Sequence, residues 1–220
     1  MSGRPLLLGH RGARGVKSIP ENTLASFDRA LADGCDGFEF DVRLTADGQA
    51  VVCHDPKVGN IQITAAARDA VKLLPRLEDV LQRYQGKAFL DIELKVAGLE
   101  ESTLALLGKY PPRAGFVLSS FLPEVLRALR AADAAIPLGV ICENRAELGR
   151  WRELQVEYVI VQWQLVTYGL LDEIKAANRK AIVWTVNEHE AMKRFASWGV
   201  DGIISDDTRL LVEGFESEKQ

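Results

Sequence analysis

Two of the three histidines in this chain stand beside a charged neighbour where an apolar run ends. His10-Arg11 follows Leu6–Gly9, and His54-Asp55 closes the run QAVVCHD. A histidine titrates near neutral pH, so a pair can take a proton on one side of a reacting centre and give one on the other. Carboxylates form a second group, with Glu39 and Asp41 in GFEFDV and Asp91 and Glu93 in AFLDIEL. Residues two apart in a strand share a face. Glu39 and Asp41 therefore point away from Phe38 and Phe40, and Asp91, Glu93 and Lys95 point away from Leu90, Ile92 and Leu94. Carboxylates aimed into an interior cost roughly several kcal/mol each unless they are paired or bind a metal. Glu39, Asp41 and Glu93 make a hard oxygen set, suited to Mg²⁺ or Ca²⁺. The alternative is internal ion pairing with Arg43 and Lys95. Arg11 can hold a phosphate oxygen through its planar fork, and Gly12 and Gly15 let a loop approach a ligand closely. Two imidazoles, three acids around a hard cation, and the cations Arg11 and Lys95 describe a site that hydrolyses a phosphodiester. His189, placed on a surface helix, takes no role.

The elements that must position these groups alternate along the whole chain. Apolar runs at Leu6–Gly9, Gly37–Val42, Ala88–Leu94, Gly115–Ser120, Pro137–Cys142, Tyr158–Gln162, Ala181–Val186 and Gly202–Ser205 predict eight strands. Helical spacing predicts helices over Glu21–Ala32, Arg76–Tyr84, Glu100–Lys109, Pro123–Ala132, Arg145–Leu154, Gly169–Asn178, Glu188–Trp198 and Asp207–Gly214. Strict α/β alternation predicts a parallel sheet covered by helices, and this length without a Gly-rich dinucleotide fingerprint favours one closed (β/α)8 barrel over an open doubly wound sheet. Asp47-Gly48 predicts a two-residue hairpin after strand 2, with Leu44 facing Val51 and Asp41 facing His54. The stretch Pro56–Leu74 reads as a short insertion with an extra helix over Thr64–Leu74. Residues 215–220 read as a fraying tail, and residues 1–220 as one domain.

Bulk properties narrow the partners. The 220 residues carry a net charge of −4 with scattered basic residues, which argues against a nucleic-acid footprint. No apolar run reaches the length of a membrane span. Three cysteines without metal-like spacing, and no run long enough for a signal peptide, point to a reducing cytoplasm. Oligomeric state is not encoded in any of these features.

The order HRG, PENT, EFDVRLTADG, HD, IELK, SSF, WTVN and DGIISD resembles the glycerophosphodiester phosphodiesterase family from end to end. The resemblance implies a TIM barrel that hydrolyses glycerophosphodiesters, such as glycerophosphocholine or glycerophosphoethanolamine, to an alcohol and sn-glycerol 3-phosphate. It implies His10 and His54 as the acid–base pair, Glu39, Asp41 and Glu93 as ligands of a divalent cation, Arg11 and Lys95 as phosphate binders, and Trp184 at the mouth against the glycerol or the leaving group. Glu21 and Asn22 are expected to start the first helix, and Asp206 to cap the last. The insertion after HD is shorter than the family's usual one, which opens the choice of substrate. A phospholipase D-type enzyme acting on lysophospholipids or related choline lipids, and a non-catalytic phosphate-ligand binder, are the alternatives. A glycosidase using the carboxylates directly would leave both histidines and Arg11 idle.

Overall fold

The predicted alternation closes on itself. The computed structural model describes residues 4–216. In chain order its elements are β1 (Leu6–Gly9), α1 (Leu24–Ala32), β2 (Gly37–Leu44), β3 (Ala50–Val52), β4 (Lys57–Val58), β5 (Ile61–Gln62), α2 (Leu77–Tyr84), β6 (Phe89–Leu94), α3 (Glu100–Lys109), β7 (Phe116–Ser120), α4 (Pro123–Ala132), β8 (Leu138–Cys142), β9 (Tyr158–Gln162), α5 (Tyr168–Ala176), β10 (Lys180–Trp184), α6 (His189–Ser197), β11 (Gly202–Ser205) and α7 (Thr208–Glu216). Eight parallel strands run β1-β2-β6-β7-β8-β9-β10-β11, and β11 pairs back onto β1 to close the barrel. No helix of the described residues is long and apolar enough to cross a membrane.

The period-two pattern divides the core as expected. Phe38 and Phe40 face outward and are fully buried under α1 and α2. Phe38 stacks on Phe27 with ring centroids 4.2 Å apart and meets the edge of Tyr84 at 5.0 Å. Each such ring contributes about 1.5–3 kcal/mol by burial, so this cluster locks β2 against the helices that cover it. On its inner side β2 must pass very close to β6. A Cβ at Gly37 would lie 1.9 Å from the Phe89 carbonyl oxygen, so only glycine fits there. A second, inner cluster fills the barrel interior with Leu8, Val117 and Ile182 among its members, and its Ile141, Ile160 and Ile204 reach up to the mouth. The charged groups are thereby confined to the mouth at the strands' C-terminal ends.

Four expectations need correction. The hairpin register is shifted by one: Leu44 pairs with Ala50 and Arg43 with Val51, and the Cys53 N–H donates to the Asp41 carbonyl. The Gly48 N–H donates to the Thr45 carbonyl, and Gly48 takes φ +77°, so the loop has three residues rather than two. The Arg145–Leu154 helix is absent apart from a 3-10 turn at Arg150–Arg152. There the Asn144 side chain accepts from the Ala146 N–H and Glu147 from the Glu143 N–H, local bonds that compete with a helix. Thr64–Leu74 forms 3-10 turns at Ile63–Ala65 and Arg68–Val71, not a helix. Of the expected tail, Phe215 and Glu216 belong to α7, and Phe215 packs on the core, while residues 217–220 lie outside the described residues.

Candidate active site

Strand register brings the predicted residues together. β2 and β6 pair with Glu39 opposite Asp91 and Asp41 opposite Glu93, so the two acidic faces lie side by side at the mouth. Ligand oxygens of Glu39, Asp41 and Glu93 lie within 4.8 Å of one another, and all three residues are buried. A cavity of about 360 Å³ opens over them, lined by His10, Arg11, Glu39, His54, Glu93, Lys95 and Trp184 among others. Seven of the eight expected site residues thus line one cavity, and the eighth, Asp41, sits in the acid cluster beneath it.

The electrostatics are short of positive charge. Lys95 Nζ lies 2.7 Å from Glu93 Oε1 and 3.2 Å from Asp41 Oδ1, and Arg11 Nε lies 3.3 Å from Asp41 Oδ2. Against these two cations stand Glu39, Asp41, Asp91 and Glu93. Burial pushes the Asp41 carboxyl up, but Lys95 and Arg11 more than offset this and hold it below the usual carboxylate range. Burial, then Asp41 and Glu93, hold Glu39 well above its ordinary value; the Arg11 charge opposes but does not prevail. Glu93 is pushed up to about 8 by burial and Asp41, with Lys95 opposing. Burial raises Asp91 to about 7, although Ser119 Oγ donates to it at 2.5 Å. A buried cluster of oxygen donors with two cations set against four carboxyls is chemically fitted to a hard divalent cation. Arg43 does not join the acids. Its Nε donates to the His54 carbonyl at 2.7 Å and pins the loop that carries this histidine.

Each imidazole has a carboxylate on Nδ1. His10 Nδ1 lies 2.7 Å from Asp206 Oδ1, and His54 Nδ1 lies 2.8 Å from Asp55 Oδ1. Burial opposes ionisation of Asp206, but bonds from His10 and Asn187 outweigh it and hold the carboxyl far below its usual range. An ionised carboxylate only accepts, so His10 carries its proton on Nδ1 and keeps Nε2 free, 3.8 Å from Glu39 Oε2. Burial lowers the His10 pKa more than Asp206 raises it, which favours the neutral imidazole, a base.

Three residues read as helix starts or caps belong to this network instead. Thr23, not Glu21 or Asn22, caps α1 by accepting from the Ser26 N–H. Asn22 adopts φ +57° and donates to Asp41 Oδ2 at 2.8 Å, while Glu21 pairs with Arg11 and Arg14. Arg11 also sits at positive φ, and its N–H donates to Glu39 Oε2 at 3.0 Å. Gly12 behind it has φ +81°, and a Cβ there would lie 2.4 Å from Ser26 Oγ. Asp207 caps α7 through the Leu210 N–H, which frees Asp206 for His10, Arg14 and Asn187. The signal for Asp206 lay in register: β1 and β11 pair Gly9 with Ser205, so the next residues, His10 and Asp206, emerge as neighbours.

Asp206 is therefore a positioning residue, and Asp206→Asn tests it. An amide can present either a donor or an acceptor to Nδ1, so the tautomer is no longer fixed. The kcat is expected to fall by about 10²-fold or more with KM little changed. A parallel rise in KM with kcat intact would assign Asp206 to substrate contact instead.

The far wall of the cavity is apolar. It comprises Phe121, Ile141, Ile160, Trp184 and Ile204, with Glu143 at its rim. Phe121 and Trp184 meet edge to face at 5.9 Å, and Lys95 Nζ lies 5.5 Å over the Phe121 ring. Trp184 Nε1 is buried without a hydrogen-bond partner among the described residues.

Known proteins resemble the chain along most of its length. A family model described as the glycerophosphoryl diester phosphodiesterase family matches residues 10–87 and 62–210. The chain is 30% identical to a glycerophosphodiester phosphodiesterase of Caldanaerobacter subterraneus over 95% of this chain and 97% of that protein. A glycerophosphodiester phosphodiesterase from Parabacteroides distasonis has a similar fold, with a TM-score of 0.86 at 22% identity, over 99% of this chain and 100% of that one. A phosphodiesterase from Oleispira antarctica, solved in complex with the product sn-glycerol-3-phosphate, matches with a TM-score of 0.85 at 24% identity, covering 97% of each chain.

Proposed function

The chain belongs to the glycerophosphoryl diester phosphodiesterase family and is a phosphoric diester hydrolase; on that premise we propose that it cleaves a small glycerophosphodiester to an alcohol and sn-glycerol 3-phosphate. The observation that carries this reading is the convergence of His10, His54 and the Glu39–Asp41–Glu93 cluster on one cavity. A structural relative holds sn-glycerol-3-phosphate as product, which supports the same product here.

Glu39, Asp41 and Glu93 would hold a divalent cation, Mg²⁺ or Ca²⁺, which when bound supplies charge stabilisation to the phosphoryl oxygens. Arg11 and Lys95 flank that cluster and hold a phosphoryl oxygen by charge-assisted hydrogen bonds. One histidine removes the proton from the attacking oxygen as its bond to phosphorus forms. The other gives a proton to the alkoxide as the phosphorus–oxygen bond to the leaving alcohol breaks. The attacking oxygen is water or the substrate's own 2-hydroxyl; the latter gives a cyclic phosphate that is then opened. Asp206 and Asp55 hold the two imidazoles with Nε2 free. Cytoplasmic residence is supported by three free cysteines, two of them buried.

A second reading, phospholipase D-type hydrolysis of a lysophospholipid, is favoured by one observation. Of the large apolar side chains exposed among the described residues, Val58, Ile61 and Leu73 lie on the insertion that follows His54. One assay separates the two. Pure protein with Mg²⁺ or Ca²⁺ is given glycerophosphodiesters and lysophospholipids, and the products are followed by phosphorus NMR. Release of sn-glycerol 3-phosphate is expected. Release of lysophosphatidate alone would establish the second reading, and no cleavage of either class would sink both. A transient cyclic phosphate would identify the 2-hydroxyl as nucleophile.

A further inference from the structure

The cavity is two-sided, and its far side is apolar and aromatic with a single carboxylate at its rim. The strands that carry His10, Glu39, Asp41, Glu93 and Lys95 are β1, β2 and β6, which are adjacent in the barrel. The opposite wall comes from β7 to β11 and is built of apolar and aromatic side chains. Period two explains the one exception. Ile141 points into the barrel, so Glu143, two residues on, points the same way just past the end of β8. Among the described residues the Glu143 carboxylate makes no ion pair; only its backbone N–H is bonded, to Glu147 Oε2. It is the only ionisable side chain among the lining residues of that wall.

An unpaired carboxylate beside a phosphodiester site repels the substrate's own negative charge. Glu143 is exposed at the rim and solvated in the free protein, so its charge becomes attractive to a substrate that carries a cation at the end remote from phosphorus. Trp184 supplies the matching surface. Its ring is braced edge-on by Phe121, and no cation of the described residues lies over it, whereas Phe121 already carries Lys95. A methylated ammonium is attracted to an indole face by the ring quadrupole and by dispersion, and to a nearby carboxylate by charge. A polyol leaving group gains little there, and an anionic one is repelled. We propose that Glu143 and Trp184 form a leaving-group subsite selective for a quaternary ammonium alcohol, with Glu143 as the specificity-determining residue. This rests on the hydrolytic reading above and adds which alcohol leaves. The ammonium can come from a glycerophosphodiester or from a lysophospholipid, since the subsite reads only the headgroup.

The test has one arm that needs no turnover. Calorimetric titration compares choline with its uncharged carbon isostere, 3,3-dimethylbutan-1-ol. The wild-type protein is expected to bind choline about three- to tenfold more tightly, the range for a cation at a partly exposed aromatic and acidic site. Glu143→Gln is expected to erase most of that difference and Glu143→Lys to reverse it. Equal binding of the two probes by the wild type, or a difference untouched by Glu143→Gln, overturns the proposal. The kinetic arm takes the ratio of kcat/KM for glycerophosphocholine to that for glycerophosphoglycerol, which is expected to fall by the same factor in Glu143→Gln. A parallel ratio for lysophosphatidylcholine against lysophosphatidylglycerol reads the other source. Loss of all hydrolysis with charge-selective binding retained would fault the hydrolytic reading alone. Hydrolysis with an unchanged ratio would fault the subsite alone.

Discussion

His10→Ala is expected to lower kcat by about 10²–10⁴-fold, the range for removing a positioned acid or base. The fold should survive, because His10 follows β1 rather than lying within it and contributes one side-chain bond, to Asp206. His54→Ala is expected to act alike, with an even smaller effect on stability, since that side chain is about a third exposed at the cavity edge. Steady-state kinetics beside thermal unfolding checks both. The double variant should lose little more than the worse single variant if the two work on one transition state, because groups that act as a unit are not additive. Near-full activity in either single variant would remove that histidine from the chemistry.

Dialysis against EDTA is expected to abolish turnover, at least about 10³-fold, with recovery on adding Mg²⁺ or Ca²⁺; a few kcal/mol of lost charge stabilisation has that effect. A second readout is independent of activity. Burial and neighbouring carboxylates hold Glu39 well above its ordinary value, Glu93 at about 8 and Asp91 at about 7. A carboxyl raised in the folded state binds protons that the unfolded chain has already released. Its contribution to stability is complete below the unfolded pKa and is lost as pH rises through the folded value. The metal-free protein should therefore lose melting temperature between about pH 5 and pH 8. The added cation should restore most of it at the upper end, by binding the folded state alone. Activity indifferent to EDTA, together with a flat melting profile, would mean that Arg11 and Lys95 neutralise the acids unaided.

Much of this molecule is determined by local pattern. Alternation of strands and helices specifies the barrel because each element has one apolar face to bury. Period two within GFEFDV and DIELK places the acids inside, since the outward Phe38, Phe40, Leu90 and Ile92 leave them no other direction. The types and spacing of His10, Arg11, Glu39, Asp41, His54, Glu93 and Lys95 point to phosphodiester hydrolysis, the reaction class of the family, because each lies on or just beyond a strand of the barrel or its hairpin. What the sequence left undecided depends on distance in space. The hairpin slipped by one residue because the left-handed conformation of Gly48 settles the loop length, which composition does not show. Asp206 and His10 are 196 residues apart and meet only because β11 closes on β1. Glu21 and Asn22 look like residues that open a helix, but a strained turn aims them at Arg11 and Asp41. Glu143 lies between the predicted strand Pro137–Cys142 and the predicted helix Arg145–Leu154, and its inward direction appears only once Ile141 is seen to face the barrel. Local periodicity sets which way a side chain points, and barrel closure alone sets which side chains it meets.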